Sequence, residues 1–429
     1  MIVLTDIQMS NGNKKVTYEY QAAGQAQKLF TGKDQFFVEY PYDVSDVHKG
    51  ILAIPFVSNF LPIAWFAGFD LRVEEVDAEF FEACKQLRTE FQRQFPEYNL
   101  SGNLLSENLS DTPKIKGNKT AMLFSGGVDA YATYIHLFAK KPALVTLHGA
   151  DIALGDIQQW TDFTDFIEGE NLLSENEKFY IRTNVRDFYT YQVELLLRDI
   201  GWWGKVQHGM SLIGALAPLT VKEGFSHIYI ASSYTKEVDI SWGSTPTADE
   251  LIRWAGVQVH HDGYELRRQE KVDRIVAFAR EQEQAFRLRV CYSELRSSFN
   301  CSNCEKCFRS ILGIILNGED PNKYGFEVTA DIYNRIFNMV GKQGASKGVR
   351  YFWWELMEKA KLSRGIYVFD NETLEQKQVD RIRNGELDKM IEANMIRKKT
   401  DPIGRLRFII RNKFPFLRKI YRTLRGRTS

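Results

Sequence analysis

The sequence predicts an α/β protein whose central part is a doubly wound, mostly parallel β-sheet. Short apolar runs alternate with helical patterns between residues 120 and 231, as expected for strands joined by crossover helices. An earlier segment has the period-two alternation of antiparallel strands, and four cysteines crowd together after the last predicted strand. We therefore expect an N-terminal β-rich domain, the parallel sheet, a four-cysteine zinc module and a helical C-terminal region.

Length and composition are those of a globular protein of two or three domains. With 44% hydrophobic and 26% charged residues in 429, the chain is neither disordered nor collagen-like. The 56 basic and 55 acidic residues give a net charge of +1, which argues against a general nucleic-acid coat. The charge is unevenly placed, because residues 397–429 hold twelve basic residues and one acidic residue. That tail carries +11, and the remainder of the chain carries −10.

The first 75 residues are predicted to form a small antiparallel β unit. Apolar positions alternate from Val16 to Tyr20 and from Phe36 to Tyr40, and Asn11-Gly12 marks a hairpin turn. The uncharged run from Ile51 to Phe69 is nearly long enough to cross a bilayer, but prolines interrupt it. We assign this run to buried strands, with a membrane span or an exposed apolar face as the alternatives.

The chain divides into four predicted parts. Helical spacing from Asp77 to Phe95 precedes a polar segment, Ser101 to Lys119, that is typical of a linker. The parts are an N-terminal β-rich unit with a closing helix (1–115), a sheet domain with the zinc module (116–320), a helical region (321–400) and a basic amphipathic tail (401–429). Met1 to Gln8 lacks the features of a signal peptide, so we expect a cytoplasmic protein.

Four strands are predicted in the sheet domain, each followed by polar or small residues. In doubly wound sheets, ligands bind beyond the carboxyl ends of the strands, so these are the positions to search for a site. The strands are Thr120 to Phe124, Ala143 to Leu147, Phe179 to Thr183 and His227 to Ala231.

The first of these strands leads directly into a loop suited to phosphate. Ser125, Gly126, Gly127, Val128 and Asp129 connect it to a helix without a spacer. Adjacent glycines let the backbone approach an anion closely, and the free N–H groups of a helix start can bind phosphate oxygens. Asp129 would repel a bare phosphate, so it requires a bridging Mg²⁺ or a nearby lysine. A simple strand-to-helix turn is the structural alternative.

This loop resembles the PP-loop of the ATP pyrophosphatase superfamily, which has the HUP-like α/β fold. Members split ATP between its α and β phosphates, leaving an adenylated substrate and pyrophosphate. The resemblance implies ATP and Mg²⁺ as cofactors and catalytic roles for Ser125 and Asp129. It also places His148, after the second strand, near the adenine. The family has Ser or Thr after the aspartate, where this chain has Ala130.

Four cysteines form the second chemical signal. Cys301, Cys304 and Cys307 make two overlapping C-x-x-C units, and nine residues separate Cys291 from Cys301. Four thiolates on so short a segment suit a closed, tetrahedral structural Zn²⁺ site. A redox dithiol or unrelated buried thiols are the alternatives.

The loop and the cysteine spacing together resemble the 7-cyano-7-deazaguanine synthase (QueC) family, over about residues 119–316. That resemblance implies a ligase-type enzyme that adenylates a carboxylate and transfers it to ammonia or an amine. The acid could be a deazaguanine and the amine could belong to a protein partner held by the N-terminal unit. The segments that recognise the substrate in that family differ here, so the candidate substrate residues are Ser244, Asp249 and Arg253. Arg267 and Arg268 are further candidates, as carboxylate forks, for binding a substrate carboxylate through two parallel hydrogen bonds.

Other functions fit the same sequence less directly. PP-loops also serve enzymes of tRNA thiolation or lysidine formation and amidotransferases of polysaccharide pathways. A non-catalytic adaptor that binds nucleotide is the alternative that Ala130 supports best.

The basic tail carries apolar residues at helical spacing. Such a helix suits an anionic membrane surface, which implies peripheral attachment at the inner face of the membrane. Binding of RNA or an acidic protein, or docking of the tail on its own chain, are the alternatives. The apolar positions are Ile403, Leu406, Ile410, Phe414, Leu417, Ile420, Tyr421 and Leu424.

Overall fold

One large sheet organises the protein. The structure, a computed structural model, describes residues 1–30, 35–291, 299–341, 347–396 and 402–413. Ten strands lie in the order β10-β9-β6-β7-β8-β3-β2-β1-β4-β5. Their bounds are β1 Ile2–Ser10, β2 Lys15–Ala22, β3 Phe36–Glu39, β4 Leu71–Asp77, β5 Leu104–Ser110, β6 Lys119–Leu123, β7 Ala143–His148, β8 Lys178–Thr183, β9 Phe225–Ala231 and β10 Gln258–Asp262.

Five neighbouring strands form the parallel half that the sequence predicts. The chain proceeds outward from β6 through β7 to β8, and then returns to the other side of β6 for β9 and β10. All four pairs within this half are parallel. The direction of winding therefore reverses between β6 and β9, and a crevice opens there beyond the carboxyl ends of the strands.

The N-terminal strands extend the same sheet. β1 and β2 form the expected antiparallel hairpin, with Asn11 and Gly12 at positive φ values of 52° and 63° in the turn. β3 pairs antiparallel with β8, Val38 opposite Thr183, and joins this part to the parallel half. Because the backbone ladder continues across that join, the predicted parts 1–115 and 116–320 share one sheet, and their independence as domains stays a prediction.

Helices cover both faces of the sheet and give each its own core. Neighbouring residues of one strand contribute to opposite cores, as Ala121 and Met122 of β6 do. The helices are α1 Lys49–Leu52, α2 Ile54–Ala67, α3 Ala78–Gln94, α4 Val128–Leu137, α5 Ile157–Gly169, α6 His208–Gly214, α7 Ala217–Glu223, α8 Pro246–Asp249, α9 Arg268–Glu281, α10 Glu305–Ile315, α11 Ile332–Val340, α12 Lys347–Leu362, α13 Glu372–Arg383, α14 Glu386–Ile396 and α15 Pro402–Lys413.

The predicted strands between Ile51 and Phe69 are wrong, because this run forms α1 and the buried helix α2. Twelve of the fourteen residues of α2 are buried, so its sequence shows no polar face from which a helical period could be recognised. Gly68, at φ 74°, ends the helix in the left-handed conformation. Among the described residues, no helix is long and apolar enough to cross a membrane.

The polar segment predicted as a linker also contains regular structure. Leu104–Ser110 forms β5 at one edge of the sheet, paired in parallel with β4. Its sequence, LLSENLS, lacks alternation because the strand is largely exposed. Strand β10, at the opposite edge, has no clear signal in the sequence, since QVHHD contains a single aliphatic residue.

Close packing of α2 against α6 provides a test of this fold. A Cβ atom on Gly214 would lie 1.9 Å from the Ser58 Oγ and 2.3 Å from its Cβ. We expect Gly214→Ala to lower the free energy of unfolding by about 1–3 kcal/mol, although alanine favours helices, because the two helices must separate. Urea unfolding measures this change.

Gly169→Ala is the matched control, because Gly169 also lies in a helix and a Cβ atom added there would meet no heavy atom within 4 Å. It should leave stability unchanged or slightly raised. Equal stability of the two variants would contradict the close contact between α2 and α6.

Candidate functional site

A cleft lies at the crevice where the sheet reverses its winding. Its cavity volume is about 130 Å³, and it is lined by residues from β6, β7, β9 and the segments that follow them. This volume is smaller than the roughly 300–1,000 Å³ that is usual for small-molecule sites, so the cleft is narrow. Polar groups that line it are Ser125, Asp129, Thr146, Asp151, His208, Ser233 and Arg289.

The loop after β6 has the geometry that its glycines predict. Gly126 has a φ of 71°, a left-handed conformation that side chains disfavour, and a Cβ there would lie 3.0 Å from the Phe166 ring. Gly127 is the N-cap of α4 and offers no side chain to its first N–H groups. Val128 is fully buried, so only its backbone can contribute to an anion site.

Asp129, in the first turn of α4, is held by two cations from α9. Its Oδ2 is 2.6 Å from Arg268 Nη1 and its Oδ1 is 3.4 Å from Lys271 Nζ. Lys271 also donates to the carbonyl of Ser232, after β9. Burial opposes ionisation of Asp129, but the charges of Arg268 and Lys271 outweigh it and keep its pKa below the ordinary value. The sequence argument requires either Mg²⁺ or a lysine beside Asp129. The structure supplies the lysine, Lys271.

Helix α10 adds further positive charge beside this pair. Lys306 interacts electrostatically with Asp151, Arg268, Arg309 and Asp129, and burial lowers its pKa to about 8 against the opposing effect of Asp151. Arg309 lies 4.4 Å from the centre of the Phe352 ring, and Arg268 approaches the same ring at 5.7 Å. We call Arg268, Lys271, Lys306 and Arg309 the cation cluster.

The four predicted cysteines come together as a metal-binding group. The sulfur atoms of Cys291, Cys301, Cys304 and Cys307 all lie within 4.8 Å of one another. Cys304 and Cys307 are 3.4 Å apart, and Cys301 and Cys307 are 3.8 Å apart. A tetrahedral zinc with bonds of about 2.3 Å requires sulfur separations of about 3.8 Å. The residues present therefore fit a structural zinc site.

The cysteine group is connected to the glycine loop on both of its sides. Two residues before Cys291, the Arg289 N–H donates to the Gly126 carbonyl at 2.7 Å. Asn300, beside Cys301, accepts from the Cys291 N–H at 3.2 Å and so connects the two ends of the cysteine spacing. On the other side, Cys304 caps α10, which carries Lys306 and Arg309. A metal bound here would fix both segments relative to the loop.

His208, at the start of α6, lines the cleft. Its ring contacts Trp203 and Trp242, and its Nδ1 is buried without a hydrogen-bond partner among the described residues. Burial lowers the pKa of His208, although the charges of Asp151 and Asp249 oppose the effect. The imidazole is therefore neutral at pH 7 and able to accept a proton.

The structure places His148 at the end of β7 but outside the residues that line the cleft. Its ring stacks on Trp160, with 4.3 Å between centroids, and its Nε2 is 3.2 Å from the Ala153 carbonyl. Residues on either side of it, Leu147 and Ala150, do line the cleft. Its predicted contact with adenine stays a prediction.

Two of the three candidate substrate residues are adjacent. Ser244 Oγ donates to Asp249 Oδ2 at 2.6 Å, and the same oxygen is 2.7 Å from His261 Nδ1. All three side chains are buried, and Asp249 interacts electrostatically with His208. Arg253 is elsewhere, 3.1 Å from Gln86 on α3. The group beside the His208–Gly209 segment is thus Ser244, Asp249 and His261 without the arginine.

Sequence reasoning misses most of the cation cluster and His208. The sequence suggests Arg268 only as a carboxylate fork, and its actual partner is Asp129, whereas Arg267 pairs with Glu237. Arg268 with Lys271 and Lys306 with Arg309 each lie three residues apart, which puts each pair on one side of its helix. That spacing is the available signal, but it is too common to identify a site.

Zinc content tests the cysteine group. Purified protein should carry about one zinc per chain, and Cys301→Ser or Cys304→Ser should lose most of the metal and unfold more readily, because metal binding contributes to folding. Elemental analysis and thermal unfolding measure both effects. Cys84→Ala is the control, because Cys84 is buried in α3 outside the group. Iron, or soluble protein without metal, would contradict the zinc assignment.

The comparisons with known proteins add no relative. The chain matches no protein-family model, no curated protein and no solved structure. The α/β architecture, the cleft and the four-cysteine group are the observations from which a function can be argued.

Proposed function

We propose that the protein uses ATP to adenylate a carboxylate, releases pyrophosphate, and transfers the activated acyl group to an amine or ammonia. The observation that carries the proposal is the position of the Ser125-Gly126-Gly127 loop, where the sheet reverses its winding and the cation cluster surrounds Asp129. A helix start and several cations beside one glycine loop favour a polyphosphate ligand.

The residues divide into separate roles along the cleft. Backbone N–H groups of the loop and the Ser125 hydroxyl would bind phosphate oxygens, and the cation cluster would stabilise the negative charge of departing pyrophosphate. Asp129 keeps Arg268 and Lys271 in place, and a Mg²⁺ held beside this carboxylate would supply further positive charge to the phosphates. The adenine would lie against the aliphatic residues at the end of β7.

His208 is suited to the second half of the reaction. A neutral imidazole that lines the cleft can accept the proton that an attacking amine loses when it forms an amide. Its charged or titratable neighbours are Asp151, Asp249, Arg186 and His261. The Asp249–His261 pair lies behind His208, and its negative charge would stabilise the protonated form transiently.

A nucleotide-binding adaptor is the second candidate. Ala130 is buried in α4 and lines the cleft where the related family has a hydroxyl, so one phosphate contact is lost. The thiolation alternative needs a cysteine at the cleft, whereas Cys84 is buried in α3. Pyrophosphate release with a panel of carboxylic acids and amines, including 7-carboxy-7-deazaguanine and ammonia, separates an enzyme from an adaptor.

Two adjacent arginines allow a sharp test of the nucleotide site. Arg268→Gln should weaken Mg-ATP binding about tenfold or more, because it removes a cation beside the loop and frees Asp129 from its closest partner. Arg267→Gln should bind nearly normally, since Arg267 pairs with Glu237 away from the loop. Calorimetry measures both, and equal affinities in the two variants would contradict the site.

The pH dependence of acyl transfer tests His208. Because its pKa is lowered, the neutral form persists below pH 6.5, so transfer should fall only in more acidic buffer. His208→Asn should remove that acidic limb and slow transfer roughly 10²-fold, while exchange of pyrophosphate into ATP continues. Loss of exchange and transfer together would instead indicate a role in binding.

A further inference from the structure

Helix α15 attaches to the body of the protein through one arginine. Arg405 Nη1 donates to the carbonyls of Leu197 and Arg198 at 3.0 and 2.7 Å, and its Nη2 donates to that of Leu195 at 3.1 Å. These carbonyls lie at the end of a short 3₁₀ helix, Glu194–Leu196. Backbone carbonyls at the end of a helix have no hydrogen-bond partner within it. Phe408 adds an edge contact with Tyr191. We call residues 194–200 the docking segment.

The docked helix turns aliphatic side chains outward. Leu406 is 55% exposed and Ile410 is 41% exposed, and their spacing of four residues puts them on one side of α15. Ile200, in the docking segment, is 37% exposed. Ten large hydrophobic residues are exposed in the described part of the chain. Three of them, Ile200, Leu406 and Ile410, belong to α15 and its docking segment. The side of the helix that carries Leu406 and Ile410 is therefore not used for attachment to the body.

The surrounding charge identifies what this apolar surface can bind. Residues 397–429 carry +11, while the rest of the chain carries −10. An anionic surface attracts the tail and repels the body, so the protein would approach it with α15 first. Since the described part of α15 combines cations with exposed aliphatic residues, it has the composition of a helix that lies in a lipid interface.

We propose that α15 binds the surface of an anionic membrane, with Leu406 and Ile410 inserted among the lipids and Arg405 holding the helix to the body. Residues 414–429 lie outside the described residues, and their sequence continues the mixture of basic and apolar positions. Nucleic acid is the weaker candidate, because exposed leucine and isoleucine contribute nothing to phosphate contacts. The proposal is independent of the adenylation chemistry.

Vesicle binding by the full-length protein tests the proposal. The double variant Leu406→Ser/Ile410→Ser keeps every charge and removes the aliphatic pair. It should bind mixed phosphatidylglycerol–phosphatidylcholine vesicles about tenfold less tightly or worse, because insertion scales with the apolar area that it buries. The wild-type protein should bind these vesicles and not vesicles of phosphatidylcholine alone. Flotation or co-sedimentation measures the bound fraction.

A matched control removes exposed leucines far from the tail in sequence. Leu362 is 82% exposed at the end of α12 and Leu374 is 58% exposed in α13, and neither lies in the basic tail. Leu362→Ser/Leu374→Ser should bind vesicles like the wild type. Zinc content and thermal unfolding of each double variant report whether the body remains folded.

Four outcomes would overturn the proposal. Three are failure of the wild-type protein to bind anionic vesicles, full vesicle binding by Leu406→Ser/Ile410→Ser, and equal loss in the control variant. The fourth is light scattering that shows a dimer of the wild-type protein and a monomer of Leu406→Ser/Ile410→Ser. That result would mean that Leu406 and Ile410 contact a second copy of the chain instead of lipid.

Discussion

The buried charge of Asp129 is the constraint on which the arrangement of the cleft depends. A carboxylate in this position is costly unless it is paired, and the pairing requires Arg268 and Lys271 of α9 to approach the start of α4. Lys271 in turn reaches the carbonyl of Ser232 after β9. One charge therefore links α4 and α9 to the end of β9, across the point where the sheet reverses its winding.

The cysteine group extends this constraint to a third segment. Its connection with the glycine loop is a backbone hydrogen bond from Arg289 to Gly126, and its helix α10 brings Lys306 and Arg309 beside Asp129. A structural metal can thus influence an anion site without touching the ligand, because it fixes the two segments that carry the cations.

Clusters of positive charge occur in two different environments, at two distant regions of the sequence. Beside the cleft, Arg268 and Lys271 are largely shielded from solvent and held by Asp129, so their charge would act strongly on an anion bound near the glycine loop. In α15, the cations belong to an exposed helix whose aliphatic side remains uncovered. Buried charge favours selective binding of a small anion, and exposed charge favours attraction to an extended anionic surface.

The sequence by itself determined the parallel strands, the glycine loop after β6, the four-cysteine group and the N-terminal hairpin. Each has a local signal, namely a short apolar run, a glycine pair before a helix, thiol spacing or an Asn-Gly turn. Tertiary structure alone decided that Ile54–Ala67 is a helix, because burial on all sides leaves no period, and that β3 joins both halves of the sheet. It also decided which cations surround Asp129, since Arg267 and Arg268 are neighbours in the chain but point to different acids. Partners of this kind come from distant segments, and only packing brings them together.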